Sequence, residues 1–223
     1  ANNDVINGTI INLPITFNTS NGYETESLTS IQVGTVSVTD PLGPDQYGYY
    51  IFEISFPYNY PDSPPKLLYK TNNGTTRFHP NFYRNGKVCI DLLNTWKGEQ
   101  WSSCNTLSSI LINLVTLFTN KAFKHEPGIT DINAIKLYDD VITYQNFNTA
   151  IYKVLTSDVF IYYYTIFKTE IDSLNDKNKK HILKKIQDLL ATNQVKHTII
   201  IPQYNMNEII NYDELYNLYK NYN

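Results

Sequence analysis

Cysteine is scarce: the chain of 223 residues has two, Cys89 and Cys104. That is too few for a disulfide framework and fits a reducing compartment. Long apolar runs are missing too. None approaches the roughly 20 residues a bilayer-crossing helix needs, and no signal-peptide pattern opens the chain. The sequence therefore reads as intracellular, cytoplasmic or nuclear, with no membrane partner. Charge is sparse, with 17% charged residues and a net charge of -3. A protein that grips a phosphate backbone shows a basic stripe, so nucleic acid is excluded as a partner. There are no internal repeats. What remains is a length that buries one good core, or a core of about 150 residues with a helical appendage. The 19 tyrosines, with abundant Asn, Ile and Lys, read as compositional bias.

The chain is organised around Arg77 to Trp101, RFHPNFYRNGKVCIDLLNTWKGEQW, where a cysteine falls between a buried run and a loop. His79-Pro80-Asn81 is a turn, because proline fixes its own φ and drives the preceding residue out of the helical region. Asn85-Gly86 is a tight-turn signal, and Val88, Ile90, Leu92 and Leu93 form an apolar run around the thiol. The segment thus folds back and brings Asn81 near Cys89. A thiol is both a nucleophile and a thioester leaving group, and a carboxamide beside it suits an oxyanion. A protease-like thiol also needs a base. His79 is the only local histidine and sits in a rigid turn, so its reading is structural. Without a base, the thiol suits exchange of an already activated acyl group better than amide cleavage, which counts against a cysteine hydrolase.

Around this centre, Thr9 to Phe17 reads as a strand interrupted by Pro14, and Asn18 to Thr25 as a turn. Ser30 to Thr39 and Tyr49 to Phe56 read as antiparallel strands, and Leu67 to Thr71 as a further one. Pro57, Pro61, Pro64 and Pro65 impose a rigid connection between them, with Tyr60-Pro61 the best cis candidate. Leu107, Ile110, Leu111, Leu114, Val115 and Phe118 follow helical spacing, after cap candidates within Ser102 to Asn105. Cys104 reads as a packing residue at that helix start. Helices are then expected from Ile132 to Thr143, from Phe147 to Phe167, and from Asp176 to Ala191. The last has lysines opposite its apolar stripe, a solvated face. Val195 to Ile201 is strand-like, and Met206 to Tyr219 is expected as a final helix. The order defines an α+β fold with an antiparallel meander followed by helices.

The run HPN, then NGKVCIDLL, then a tryptophan followed by serine, preceded by FPYNYPDSPPK, resembles the ubiquitin-conjugating enzymes. The loop NTWKGEQWSS, the approach TNNGTTRFHPNFYRNGKVC and the ending NKAFKHEPG are similar to the large enzymes of the Z type. The likeness is clear from Ile31 to Gly128 and traceable to Ile171. It implies the UBC fold: a four-stranded antiparallel meander, a catalytic cysteine after the sheet, then helices. It divides the chain into an N-terminal segment and first strand (1–30), a catalytic core (31–152) and a helical C-terminal extension packed on the core (153–223). The family has a helix before its first strand. None is legible here, and a start at Ala1 rather than Met fits a truncated one.

The resemblance implies that Cys89 accepts ubiquitin, or a ubiquitin-like modifier, from an activating enzyme as a thioester and passes it to a lysine or a ligase. Asn81 stabilises the oxyanion while bracing the turn, and His79 shapes that turn. Glu126 matches the acidic position at the gate, where a carboxylate orients the incoming lysine; the plainer reading is a solvated loop carboxylate. Trp101, with Ser103 where proline is usual, and Tyr69 match ligase-docking positions, although Tyr69 fits a core-facing strand residue equally well. Trp96 lies in the lengthened loop beside the thiol, either selecting the activating enzyme or filling a surface insertion. No metal and no cofactor are implied, because ATP and magnesium are used by the activating enzyme. The reading from a different class is a catalytically silent UBC-fold module that binds ubiquitin or a partner protein.

Overall fold

The computed structural model describes residues 8–9, 28–33, 37–38, 47–118 and 121–222. Among them, three strands form an antiparallel sheet in the order β2 (Leu28–Val33), β4 (Ile51–Phe56), β5 (Lys66–Tyr69), while β1 (Gly8–Thr9) pairs with β3 (Ser37–Val38) separately. The register sets Leu28 against Phe56 and Val33 against Ile51 on one side of β4, and Phe52 against Tyr69 on the other. Of the strand expected from Thr9 to Phe17 only Thr9, in β1, is among the described residues, and the turn expected after it lies outside them. The Tyr60-Pro61 bond in the proline-rich connection is cis.

Side chains of β4 alternate between faces, and both faces are covered. Tyr50, Phe52 and Ile54 enter one core with Leu67, Tyr69, Phe82 and α1 (Leu107–Leu117); Ile51 enters the other, built from the C-terminal half. Helix α1 buries Ile110, Leu111 and Leu114, the spacing read from the sequence. Its cap, however, is Thr106, just past the expected Ser102 to Asn105. The Thr106 hydroxyl accepts from Ser109 N at 3.3 Å.

From α2 (Ile132–Gln145) the helix continues without a break through a π-helical segment (Asn146–Lys153) into α3 (Val154–Thr156). The wider winding sets Asn146 and the Ala150 carbonyl against the strand approach. Asn146 Oδ1 accepts from Tyr50 Oη at 2.9 Å, and Ala150 O from Tyr49 N at 2.9 Å. The approach is close: a Cβ on Gly48 would lie 2.1 Å from Asn146 Oδ1. After α4 (Ile161–Ile166), α5 (Lys168–Thr192) starts eight residues before the expected Asp176 and buries Ile171, Asn175, Ile182 and Ile186 along one stripe. Lys177, Lys180 and Lys184 are exposed, whereas Lys179 is drawn in to the Tyr222 carbonyl. No helix among the described residues is long and apolar enough to cross a membrane.

The extension is not wholly helical as expected. Met206–Ile210 is a strand, β7, paired antiparallel with β6 (His197–Ile201), and only then does α6 (Tyr212–Asn221) begin. The reason is a period of two: Met206, Glu208 and Ile210 are buried, Asn207 and Ile209 exposed. Asn205, in the left-handed region at φ 49°, makes the turn, and Asn211 caps α6 by accepting from Glu214 N.

This hairpin is pinned to the sheet side by a buried carboxylate. Glu208, 4% exposed, accepts from Thr76 Oγ1 and from Gln145 Nε2, both at 2.8 Å. Removing an acceptor strands its donors out of water, which costs more than the bonds' net worth. Glu208→Ala is therefore expected to lose about 2–4 kcal/mol of unfolding free energy. Urea titration followed by tryptophan fluorescence measures it; an unchanged midpoint would show that the joint carries no stability.

Candidate active site

The turn expected at His79-Pro80-Asn81 forms, and the chain folds back as the Asn85-Gly86 signal requires. Gly86 takes φ 87°, and its N–H donates to Tyr83 O at 2.9 Å. Phe82 then bridges to Val88, and Cys89 N donates to Asn81 O at 2.9 Å. The Asn81 side chain closes the loop from the other direction, its Nδ2 donating to the Cys89 carbonyl. The structure thus brings Asn81 and Cys89 together across eight residues.

His79 is 2% exposed, with Nδ1 accepting from Asn81 N at 3.0 Å. Burial, then the neighbouring His125 and Arg77, depress its pKa to about 3, against the pull of the Leu117 carbonyl. The ring is therefore neutral, with its proton on Nε2. A base must offer a free lone pair, and the one lone pair here is held by the backbone. His79 is part of the turn.

Cys89 is 4% exposed, and its Sγ donates to Thr95 O at 2.8 Å. Thr95, not singled out in the sequence, staples the loop after the thiol: its hydroxyl accepts from Ile90 N and donates to Ile90 O, both at 2.9 Å. The Trp96 loop then doubles back on Asp91 through Gly98. A Cβ there would meet Asp91 Oδ2 at 2.6 Å, and the residue's φ of 153° disfavours any side chain. Trp96, 53% exposed, lies over the cleft that results.

That cleft, of about 260 Å³, is lined by Asn81, Cys89 and Trp96 together with Leu117, His125, Glu126, Arg77 and Tyr83. Glu126 is half-buried, just past a short 3₁₀ turn at Ala122–His125. It is not a freely solvated carboxylate: Tyr204, from the turn between β6 and β7, donates its hydroxyl to Glu126 Oε2. Among the described residues, no group of three or more His, Cys, Asp or Glu converges to hold a metal ion.

The structure places the two residues matched to ligase-docking positions in different settings. Trp101 is half-buried, its Nε1 donating to Pro61 O at 2.6 Å and its ring 5.9 Å from Tyr60, so it ties the post-cysteine loop to the proline-rich connection. Tyr69 must be corrected: it is 2% exposed and stacks on Phe82 at 5.0 Å, so it belongs to the core and is not available to a partner. In β5 it is in phase with buried Leu67, while Lys66 and Leu68 are exposed. The aromatic that does face solvent in this region is Tyr58, 95% exposed at the head of the connection. Cys104, expected to pack, is exposed.

A turn-braced thiol shares its cleft with a carboxylate, after an antiparallel sheet, and comparison with known proteins places this arrangement in a family. The chain belongs to the ubiquitin-conjugating enzyme family, whose sequence model matches residues 16–153. Within it the chain is similar to ubiquitin-conjugating enzyme E2 Z. The Xenopus tropicalis protein is 38% identical over 123 residues, 53% of this chain and 39% of that protein. The Homo sapiens protein is 44% identical over 93 residues, 41% of this chain and 26% of that protein. The human dual E2 ubiquitin-conjugating enzyme/E3 ubiquitin-protein ligase BIRC6 is 34% identical over 105 residues, 44% of this chain and 2% of that protein. The matches thus span well under half the length of these relatives.

Proposed function

We propose that this chain accepts ubiquitin, or a ubiquitin-like modifier, from an activating enzyme as a thioester on Cys89 and passes it to a lysine or a ligase. The observation that carries the reading is a thiol lining a cleft beside a carboxamide, with the imidazole of its own turn, His79, unable to act as a base. Such a site handles an acyl group activated elsewhere. Cys89 Sγ gives up its proton and attacks the carbonyl carbon of the activating enzyme's thioester. The tetrahedral intermediate collapses by expelling that enzyme's thiolate, which is protonated in turn. In the second half, a lysine amine attacks the Cys89 thioester and the Cys89 thiol leaves. Asn81 Nδ2 spends one N–H on the Cys89 carbonyl, and its second N–H serves the oxyanion. ATP and magnesium are used upstream, so the chain's own steps draw on no metal or nucleotide.

The rest of the frame fits this role. What supports a four-stranded meander ahead of Cys89 is the antiparallel order of its three strands β2-β4-β5, with β1-β3 as a separate pair. A ligase docks on the proline-rich connection and the loop tied to it through Trp101 and the Ser103-Asp62 contact of 3.2 Å, with Tyr58 of the connection as the exposed aromatic anchor. Trp96, overhanging the cleft, meets the activating enzyme or the tail of the modifier. The protein works inside the cell, in cytoplasm or nucleus, where its thiols stay reduced.

A charging assay tests the reading: the protein, ATP, magnesium, ubiquitin and each candidate activating enzyme, run on gels with and without reductant. A reductant-sensitive adduct of one ubiquitin is expected, absent in Cys89→Ala and retained in Cys104→Ala. No adduct with any activating enzyme or modifier would leave the silent binding module as the better account.

A further inference from the structure

Glu126 is oriented from outside its own loop. The Tyr204 hydroxyl donates to Glu126 Oε2 from a turn 78 residues further along the chain. The ring that carries this hydroxyl is held on several sides. Phe123 lies 5.4 Å from it, Tyr138 6.0 Å, and the Arg77 guanidinium sits 4.3 Å over its face, with Tyr83 on the guanidinium's other side at 3.9 Å. Arg84 donates to the Tyr204 carbonyl. Arg77 and Arg84 are the chain's only arginines, against sixteen lysines, and both engage this one residue. A planar guanidinium stacks between two rings as an ammonium cannot, which explains arginine here in a lysine-biased chain. Burial, then the bond to Glu126, push the Tyr204 hydroxyl well above its ordinary pKa, so it stays a donor.

We propose that Tyr204 is the positioning residue for the gate: its hydroxyl occupies Glu126 Oε2 and leaves Oε1, which has no partner among the described residues, aimed at the amine that attacks the Cys89 thioester. The β6-β7 hairpin is then a working part of lysine acceptance. This rests on the reading of Cys89 as the thioester carrier and Glu126 as its gate. Holding a carboxylate in one rotamer fixes the direction of approach, and misplacement of a positioning group by about 1 Å costs as much as roughly 100-fold in rate.

The test starts from protein already loaded as a thioester, with the activating enzyme quenched, and follows discharge to free lysine over a range of lysine concentrations. Tyr204→Phe keeps the ring under Arg77 and against Phe123 and removes the hydroxyl alone, so thermal melting monitors the fold independently. The expected result is a fall of about 5- to 10-fold in the maximal discharge rate, with a higher half-saturating lysine concentration. Glu126→Gln is expected to fall at least as far, and the double variant no further than Glu126→Gln alone, because the hydroxyl acts through that carboxylate. Tyr204→Phe discharging at the wild-type rate, or effects that multiply in the double variant, would overturn the proposal. A wild-type protein that forms no thioester would instead overturn the reading on which it rests.

Discussion

In a single-turnover chase with free lysine, Asn81→Ala is expected to release its modifier about 100- to 1000-fold more slowly than the wild type, the usual cost of one lost oxyanion donor. The proposed oxyanion role and a structural role fall on the same side chain, and they separate by experiment. Its bond to the Cys89 carbonyl braces the loop, and a brace of that kind is worth about 1 kcal/mol of stability. Loss of the brace alone would lower the melting temperature a little and slow charging and discharge alike. Loss of the oxyanion donor weighs on the amine attack, where the developing alkoxide needs that hydrogen bond most. Charging exchanges one thiolate for another across a lower barrier and is expected to suffer less. Quench-flow measurement of both steps decides: equal slowing would reduce Asn81 to a brace, and discharge slowed much more than charging would establish the donor.

How much of this was legible depends on the range over which each signal acts. The Cys89 site is local. Proline at 80, glycine at 86 and the apolar run at 88–93 act within a dozen residues, and the turn, the fold-back and the Asn81-Cys89 pairing follow from them. Helix α1 was legible for the same reason, its stripe complete within eleven residues. Tyr69 was misplaced because a four-residue strand offers only two residues per face, too few for the phase of Leu67 and Tyr69 to stand out. The hairpin was missed because Met206 to Tyr219 contains apolar residues compatible with either period. The deciding features were single residues, the left-handed Asn205 and the cap at Asn211. Tyr204 had no local signature at all. Only the path of the chain through α2 to α5 returns it to Glu126, and the one hint was compositional, two arginines near the active site and none elsewhere.

The same turn that places Asn81 makes the fold sensitive to acid, through His79. The folded ring has a pKa of about 3, against 6.5 for the free side chain, because burial disfavours the charged form and His125 and Arg77 add positive charge nearby. Below pH 6.5 the unfolded chain therefore takes up a proton that the folded chain refuses. Stability contributed by the neutral ring is fully present above that pH and is lost as pH falls toward 3, at about 1.4 kcal/mol per pH unit. Between pH 7 and pH 5 the loss from this one group is about 2 kcal/mol. Protonation would also place a hydrogen on Nδ1, facing the Asn81 N–H it now accepts from. His79→Gln offers a carbonyl to that N–H and has nothing to titrate. Urea unfolding at pH 7, 6 and 5 is expected to show a dependence about 2 kcal/mol flatter in the variant than in the wild type; matching slopes would refute the assignment.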